Sequence, residues 1–99
     1  MEIPKQIKVG RTKYTVLTPM YAINRHHYGG INYESARIYV SKREPYTDKP
    51  VSKRVMAHTF WHELTHAILH DMKHPLAPNE EFVEKFSKRL NDAIFSAKF

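Results

Sequence analysis

Residues 50–72, "PVSKRVMAHTFWHELTHAILHDM", carry apolar side chains on two sides of one helix, and this pattern limits the fold more than any other feature of the chain. Ala57, Phe60, Leu64, Ala67 and Ile68 recur at helical spacing on one side, while Val51, Val55 and Leu69 fall on the other. A helix apolar on both sides has to be covered on both, which predicts a position sandwiched between two layers. Asp48, just ahead of Pro50, resembles the entry to this helix, and Pro75 and Pro78 end it because neither can continue the hydrogen-bond ladder. Asn79 then offers an N-cap for a second helix over about 80–96, with Phe82, Val83, Phe86, Leu90, Ala93 and Ile94 on one face.

Ahead of the helices, "KQIKVGRTKYTVLT" alternates apolar and polar residues around a Gly10–Arg11 turn and predicts a hairpin. "INYESARIYVSK" predicts a second, with its turn near Glu34–Ser35, and "PMYAINRHHYGG" reads as a connector holding one helical turn. The expected architecture is α+β over residues 1–99 as a single domain. A small antiparallel sheet of two hairpins packs on the central helix, with the C-terminal helix nearby. Ninety-nine residues suffice for one small core, and an apolar content of 41% separates the chain from disordered sequences.

The absence of cysteine excludes disulfides and thiolate metal sites. No stretch is apolar enough for a signal peptide or a membrane span, so the expected setting is cytoplasmic, with no membrane partner. Sixteen Lys+Arg against ten Asp+Glu give a net charge of +6. A charge of that size admits a nucleic-acid partner, but no compact basic run or recognised motif accompanies it, and plain solubility is favoured.

The predicted long helix carries His58, His62, His66, His70 and His74, each four residues after the last. Residues i and i+4 of a helix lie about 40° apart and roughly 6 Å along the axis, so two neighbouring imidazoles can converge on one ion. Three cannot, because the outer two of a triplet are about 12 Å apart. His62-Glu63-Leu64-Thr65-His66 is an HExxH sequence, and this selects His62 and His66 as ligands of Zn²⁺. Glu63 lies about 100° round the helix from His62, placed to act as general base on a water activated by the metal. A catalytic zinc site needs a third protein ligand, and the second helix opens with Asn79-Glu80-Glu81. Glu80 lies at the edge of that helix's expected buried side, whereas Glu81 and Glu84 point further towards solvent. Wheel position therefore favours Glu80, with Glu81 as the alternative. No donor to a developing oxyanion is selected: Tyr28, Tyr33, Tyr39, Tyr46, His26 and His27 are all available, most of the tyrosines reading as ordinary sheet residues.

These features resemble the ImmA/IrrE-like metallopeptidases, in particular small single-domain phage versions. "HELTHAILH" matches the HELxHxxxH of that family, and "EEFVEKFS" places Glu80, Val83, Phe86 and Ser87 where the family shows E-x-x-A-x-x-F-A. "GGINYESARIYV" is similar to the strand pair beside the family's catalytic helix. The resemblance spans roughly residues 29–95, with HExxH and the later Glu its specific part. Val83 and Ser87 replace alanines, and Glu84 stands where Asn or Asp is usual. What the resemblance implies is a minimal zincin-like gluzincin: zinc on His62, His66 and Glu80, Glu63 as base and acid in peptide-bond hydrolysis, a protein or peptide substrate, and no ligand role for His70. Two other readings compete with it: a zinc-binding interaction module without proteolytic activity, and a DNA-associated SprT-like protease. Proteins resembling the latter use a later His as third ligand, and none follows His74.

Overall fold

A computed structural model describes residues 2–22 and 27–99 of the protein. The chain forms β1 (Gln6–Val9), β2 (Thr12–Leu17), β3 (Gly29–Asn32), β4 (Arg37–Val40), α1 (Lys53–Asp71) and α2 (Glu80–Ser96), an α+β arrangement. Both expected hairpins are present. Gly10 makes the first turn at a φ of 58°, a left-handed conformation that glycine adopts without the steric cost of a side chain. In the second turn the Asn32 side chain accepts a hydrogen bond from the Ser35 N–H at 3.0 Å.

The sheet is mixed rather than antiparallel. Its order is β1-β2-β4-β3, and the two hairpins join through parallel pairing of β2 with β4, with Val16 opposite Ile38. The reason lies in which strands carry the apolar load. Tyr14 and Val16 on β2 and Ile38 and Val40 on β4 are all buried, so these strands take the middle and leave β1 and β3 at the edges. Their inward side chains meet Phe60, Leu64 and Ala67 of α1 in one core. Each buried aliphatic or aromatic side chain there contributes roughly 1.5–3 kcal/mol of transfer free energy.

α1 starts at Lys53, later than the residues near Pro50, because Ser52 is the N-cap and accepts from the Val55 N–H at 3.1 Å. Asp48 is no helix entry: it sits at a φ of 60° in the preceding loop, and Pro50 forms an isolated bridge with Arg43. Ile68, expected on the buried face, is 42% exposed, since the strands cover only the stripe through Phe60, Leu64 and Ala67. α1 contacts β3 and β4 through that stripe and also packs against α2.

α2 has the expected bounds and its Asn79 cap, which accepts from Phe82 N–H at 2.9 Å. Its rotation differs from expectation. Val83, Ser87 and Asn91 are buried, while Phe82 and Phe86 are exposed and stack on each other with ring centres 6.0 Å apart. Polar contacts set this rotation. Asn91 Nδ2 donates to the Arg54 carbonyl at 3.1 Å, Arg54 pairs with Asp92 at 3.0 Å, and the small Ser87 lets the helices approach. The helical turn expected between Pro19 and Gly30 has no counterpart among the described residues there, and residues 23–26, with His26, lie outside them. No described helix is long and apolar enough to cross a membrane.

Candidate metal centre

The HExxH residues lie in the middle of α1, where the i, i+4 spacing sets the His62 and His66 rings edge to face with centres 5.0 Å apart. α2 begins opposite them. Glu80 spans the pair: one carboxylate oxygen is 3.1 Å from His62 Nε2 and the other 2.8 Å from His66 Nε2. Glu81, the alternative, is turned away and pairs with Lys85 at 2.9 Å. One residue of helix rotation separates the two roles.

The outer nitrogens of both imidazoles are tied down. His66 Nδ1 donates to the Ala77 carbonyl at 2.7 Å. A carbonyl can only accept, so Nδ1 carries a proton, and Nε2 is the ring nitrogen that faces Glu80. His62 Nδ1 lies 3.0 Å from Glu84 Oε1 and Nε2 3.1 Å from Glu80 Oε2, so this ring is held between two carboxylates. Glu84 also comes within 3.1 Å of His58 Nε2, out of line for a hydrogen bond. Glu84 is exposed, as its wheel position predicts, but its carboxylate is not free in solvent. It also reaches the histidines because the rotation of α2 brings residues 80, 84, 87 and 91 along the face nearest α1, a stripe readable only from their four- and three-residue spacing.

Glu63 is buried, and burial pushes its carboxyl from 4.5 up to about 7; the nearby His62 opposes the shift and Glu80 adds to it. Ligand atoms of His62, Glu63 and His66 all lie within 4.8 Å of one another, a group that could hold a metal ion. Part of Glu63's cover is β3. A Cβ added at Gly29 would sit 2.4 Å from Thr59 Cγ2, 2.8 Å from the Tyr39 carbonyl oxygen and 3.2 Å from Glu63 Oε2. Gly29→Ala is therefore expected to force β3 off α1 and destabilise the fold by about 1–3 kcal/mol, the usual cost of overpacking. Chemical denaturation measures this directly, and an unchanged midpoint would mean that β3 does not lie so close.

The remaining histidines divide by environment. His70 stacks flat on Tyr33, with ring centres 3.9 Å apart and planes 16° from parallel. His74 Nδ1 accepts from the Leu76 N–H at 3.1 Å and belongs to the turn that ends α1. A groove of about 1150 Å³ runs over the site, its floor formed by His62, Glu63 and His66, one wall by Gly29–Ile31 and Tyr33, the other by the start of α2. Comparison of the chain with models of known protein families, with curated proteins and with solved structures gives no match in any of the three.

Proposed function

We propose that the protein is a zinc-dependent metallopeptidase of minimal zincin-like architecture, binding zinc through His62, His66 and Glu80 and using Glu63 as general base and acid. The observation that carries the reading is the convergence of both Nε2 atoms on the two oxygens of Glu80, with Glu63 buried beside them. The donor set fits the ion. Two imidazole nitrogens and a carboxylate suit zinc, and Glu80 already reaches both nitrogens, at 2.8 and 3.1 Å. Three protein ligands would be the number usual for a catalytic zinc site.

Bound here, zinc would supply a positive charge that makes water nucleophilic near neutral pH and polarises the scissile carbonyl. The rest of the work falls to the chain's own groups. Glu63 takes the proton of the attacking water and returns it to the leaving amine, a two-way role that suits a carboxyl held in an apolar setting. The Ala77 carbonyl and Glu84 fix the orientation of His66 and His62. The groove exceeds the roughly 300–1,000 Å³ typical of small-molecule pockets, which suits an extended chain. Among the described residues β3 is an edge strand paired only with β4, so its other side offers main-chain donors and acceptors to a peptide laid along it.

Metal analysis tests the ligand set. Wild type is expected to retain about one zinc per chain, Glu81→Ala to match it, and Glu80→Ala to lose affinity by at least the ~100-fold that removing even an outer partner of a metal ligand can cost. Equal zinc in the two variants, or none in wild type, would remove the basis of the reading.

A further inference from the structure

Peptide hydrolysis puts negative charge on the carbonyl oxygen, and a donor aimed at that oxygen is commonly the largest single electrostatic contribution a protein makes. The residues already placed do not provide one: Glu63 is a carboxylate, and the ring nitrogens of His62 and His66 face Glu80, Glu84 and the Ala77 carbonyl. Among the available tyrosines the structure draws a sharp distinction. Tyr39 lies within β4, and Tyr46 is in the loop before α1, outside the groove. Tyr28 and Tyr33 both line it.

Tyr33 differs from Tyr28 in being held. It follows β3 directly, in the turn to β4, and its ring lies flat on His70, one helical turn beyond His66. No described residue hydrogen-bonds to its hydroxyl. The pair is not there to fill the core: Tyr33 is 37% exposed and His70 is exposed too. A phenol stacked on His70, its O–H taken up by no described residue, therefore stands in the same groove as His62, His66 and Glu80. We propose that Tyr33, positioned by stacking on His70, donates the hydrogen bond that stabilises the oxyanion during peptide hydrolysis, with His70 as its positioning residue. This inference rests on the metallopeptidase reading above. It also gives the fourth rung of the histidine ladder a role that metal binding does not.

Two further observations agree. Burial, then the neighbouring Tyr14, then the charges of Glu63 and Glu80 raise the Tyr33 phenol above its usual value, so it keeps its proton across the working pH range and sits within electrostatic reach of the base and the third ligand. β3 also runs along α1, with Gly29 against Thr59 and Tyr33 against His70, so a peptide on the β3 edge passes the metal ligands before it reaches the phenol.

The test uses full-length zinc-loaded protein, a mixture of fluorescence-quenched peptides, and an N-phosphoryl dipeptide as a tetrahedral anion probe. Tyr33→Phe is expected to lower kcat about 100-fold with KM little changed, to weaken the phosphoryl probe at least 10-fold by calorimetry, and to leave zinc stoichiometry intact. His70→Ala is expected to lower kcat about 10-fold, and His70→Phe, which keeps a stacking ring, to recover most of it. The double variant Tyr33→Phe/His70→Ala should be no slower than Tyr33→Phe alone, because His70 acts through Tyr33. Wild-type kcat and probe affinity in Tyr33→Phe, or the same losses appearing in Tyr28→Phe instead, would overturn the assignment while leaving the metallopeptidase reading in place. A wild-type protein that binds neither zinc nor the probe would overturn both.

Discussion

Replacing Glu63 by glutamine is expected to leave zinc bound at wild-type stoichiometry and to reduce peptide cleavage by about 10²–10⁴-fold, the range of a general acid–base contribution. Glutamine keeps the shape and can still donate or accept a hydrogen bond, but it cannot take a proton from water at neutral pH. The variant also separates two arrangements that share the same atoms. Glu63 belongs to the group of ligand atoms within 4.8 Å, so it has to be distinguished from Glu80 as the third ligand. A ligating Glu63 would make Glu63→Gln lose zinc and spare Glu80→Ala. A base at Glu63 produces the opposite pattern. Adjacent helical residues point about 100° apart, so a side chain next to His62 is poorly directed to share its ion, whereas Glu80 faces both nitrogens from another helix. Metal analysis beside single-turnover cleavage assays of the two variants decides between them.

Much of the fold is legible in the chain because the signals are local. Alternation over 6–9 and 12–17 and over 31–32 and 37–40 marks the strands, and the turns at Gly10 and beyond Asn32 fall where short polar residues allow them. The HExxH spacing places two imidazoles together because helix geometry leaves little freedom, and Asn79 marks the start of α2 because only a short polar side chain caps that turn well. What escapes the sequence is non-local. Hairpin content does not specify how hairpins join, so the parallel β2–β4 pairing needs knowledge of which strands bear the buried residues. The face of α2 follows polar partners on α1 rather than its own apolar residues: Arg54 and the histidines outweigh Phe82 and Phe86, which are left partly in water. That rotation carries Glu84 to His62, and a wheel drawn from hydrophobicity alone turns it away. Tyr33 is hidden among the other tyrosines for a related reason. It belongs to the turn after β3, and only the tertiary path of β3 along α1 brings it to His70.

The same Glu63→Gln substitution is expected to stabilise the metal-free protein at neutral pH by about 3 kcal/mol, an effect opposite in sense to its effect on catalysis. The folded protein raises the Glu63 carboxyl from 4.5 to about 7, chiefly by burial, and each tenfold change in proton affinity corresponds to about 1.4 kcal/mol. Below pH 4.5 the group is protonated in both states and contributes no penalty. Between 4.5 and 7 the unfolded chain releases this proton while the folded chain retains it, so stability falls as pH rises; above 7 both states are ionised and the full penalty remains. Glutamine is neutral throughout and removes that slope. Urea denaturation of chelator-treated wild type and variant from pH 4 to pH 8 isolates the contribution, because the difference between the two curves cancels the other titrating groups. The difference should open between pH 4.5 and 7 and then level off. Adding zinc should narrow it, since a nearby cation favours the ionised carboxyl and offsets the burial that penalises it. Parallel curves with no pH-dependent gap would mean that Glu63 reaches solvent in the folded protein, and a base tuned by burial would go with them. On the proposed reading, a site assembled around a buried carboxyl is less stable empty, and a bound cation would relieve that instability.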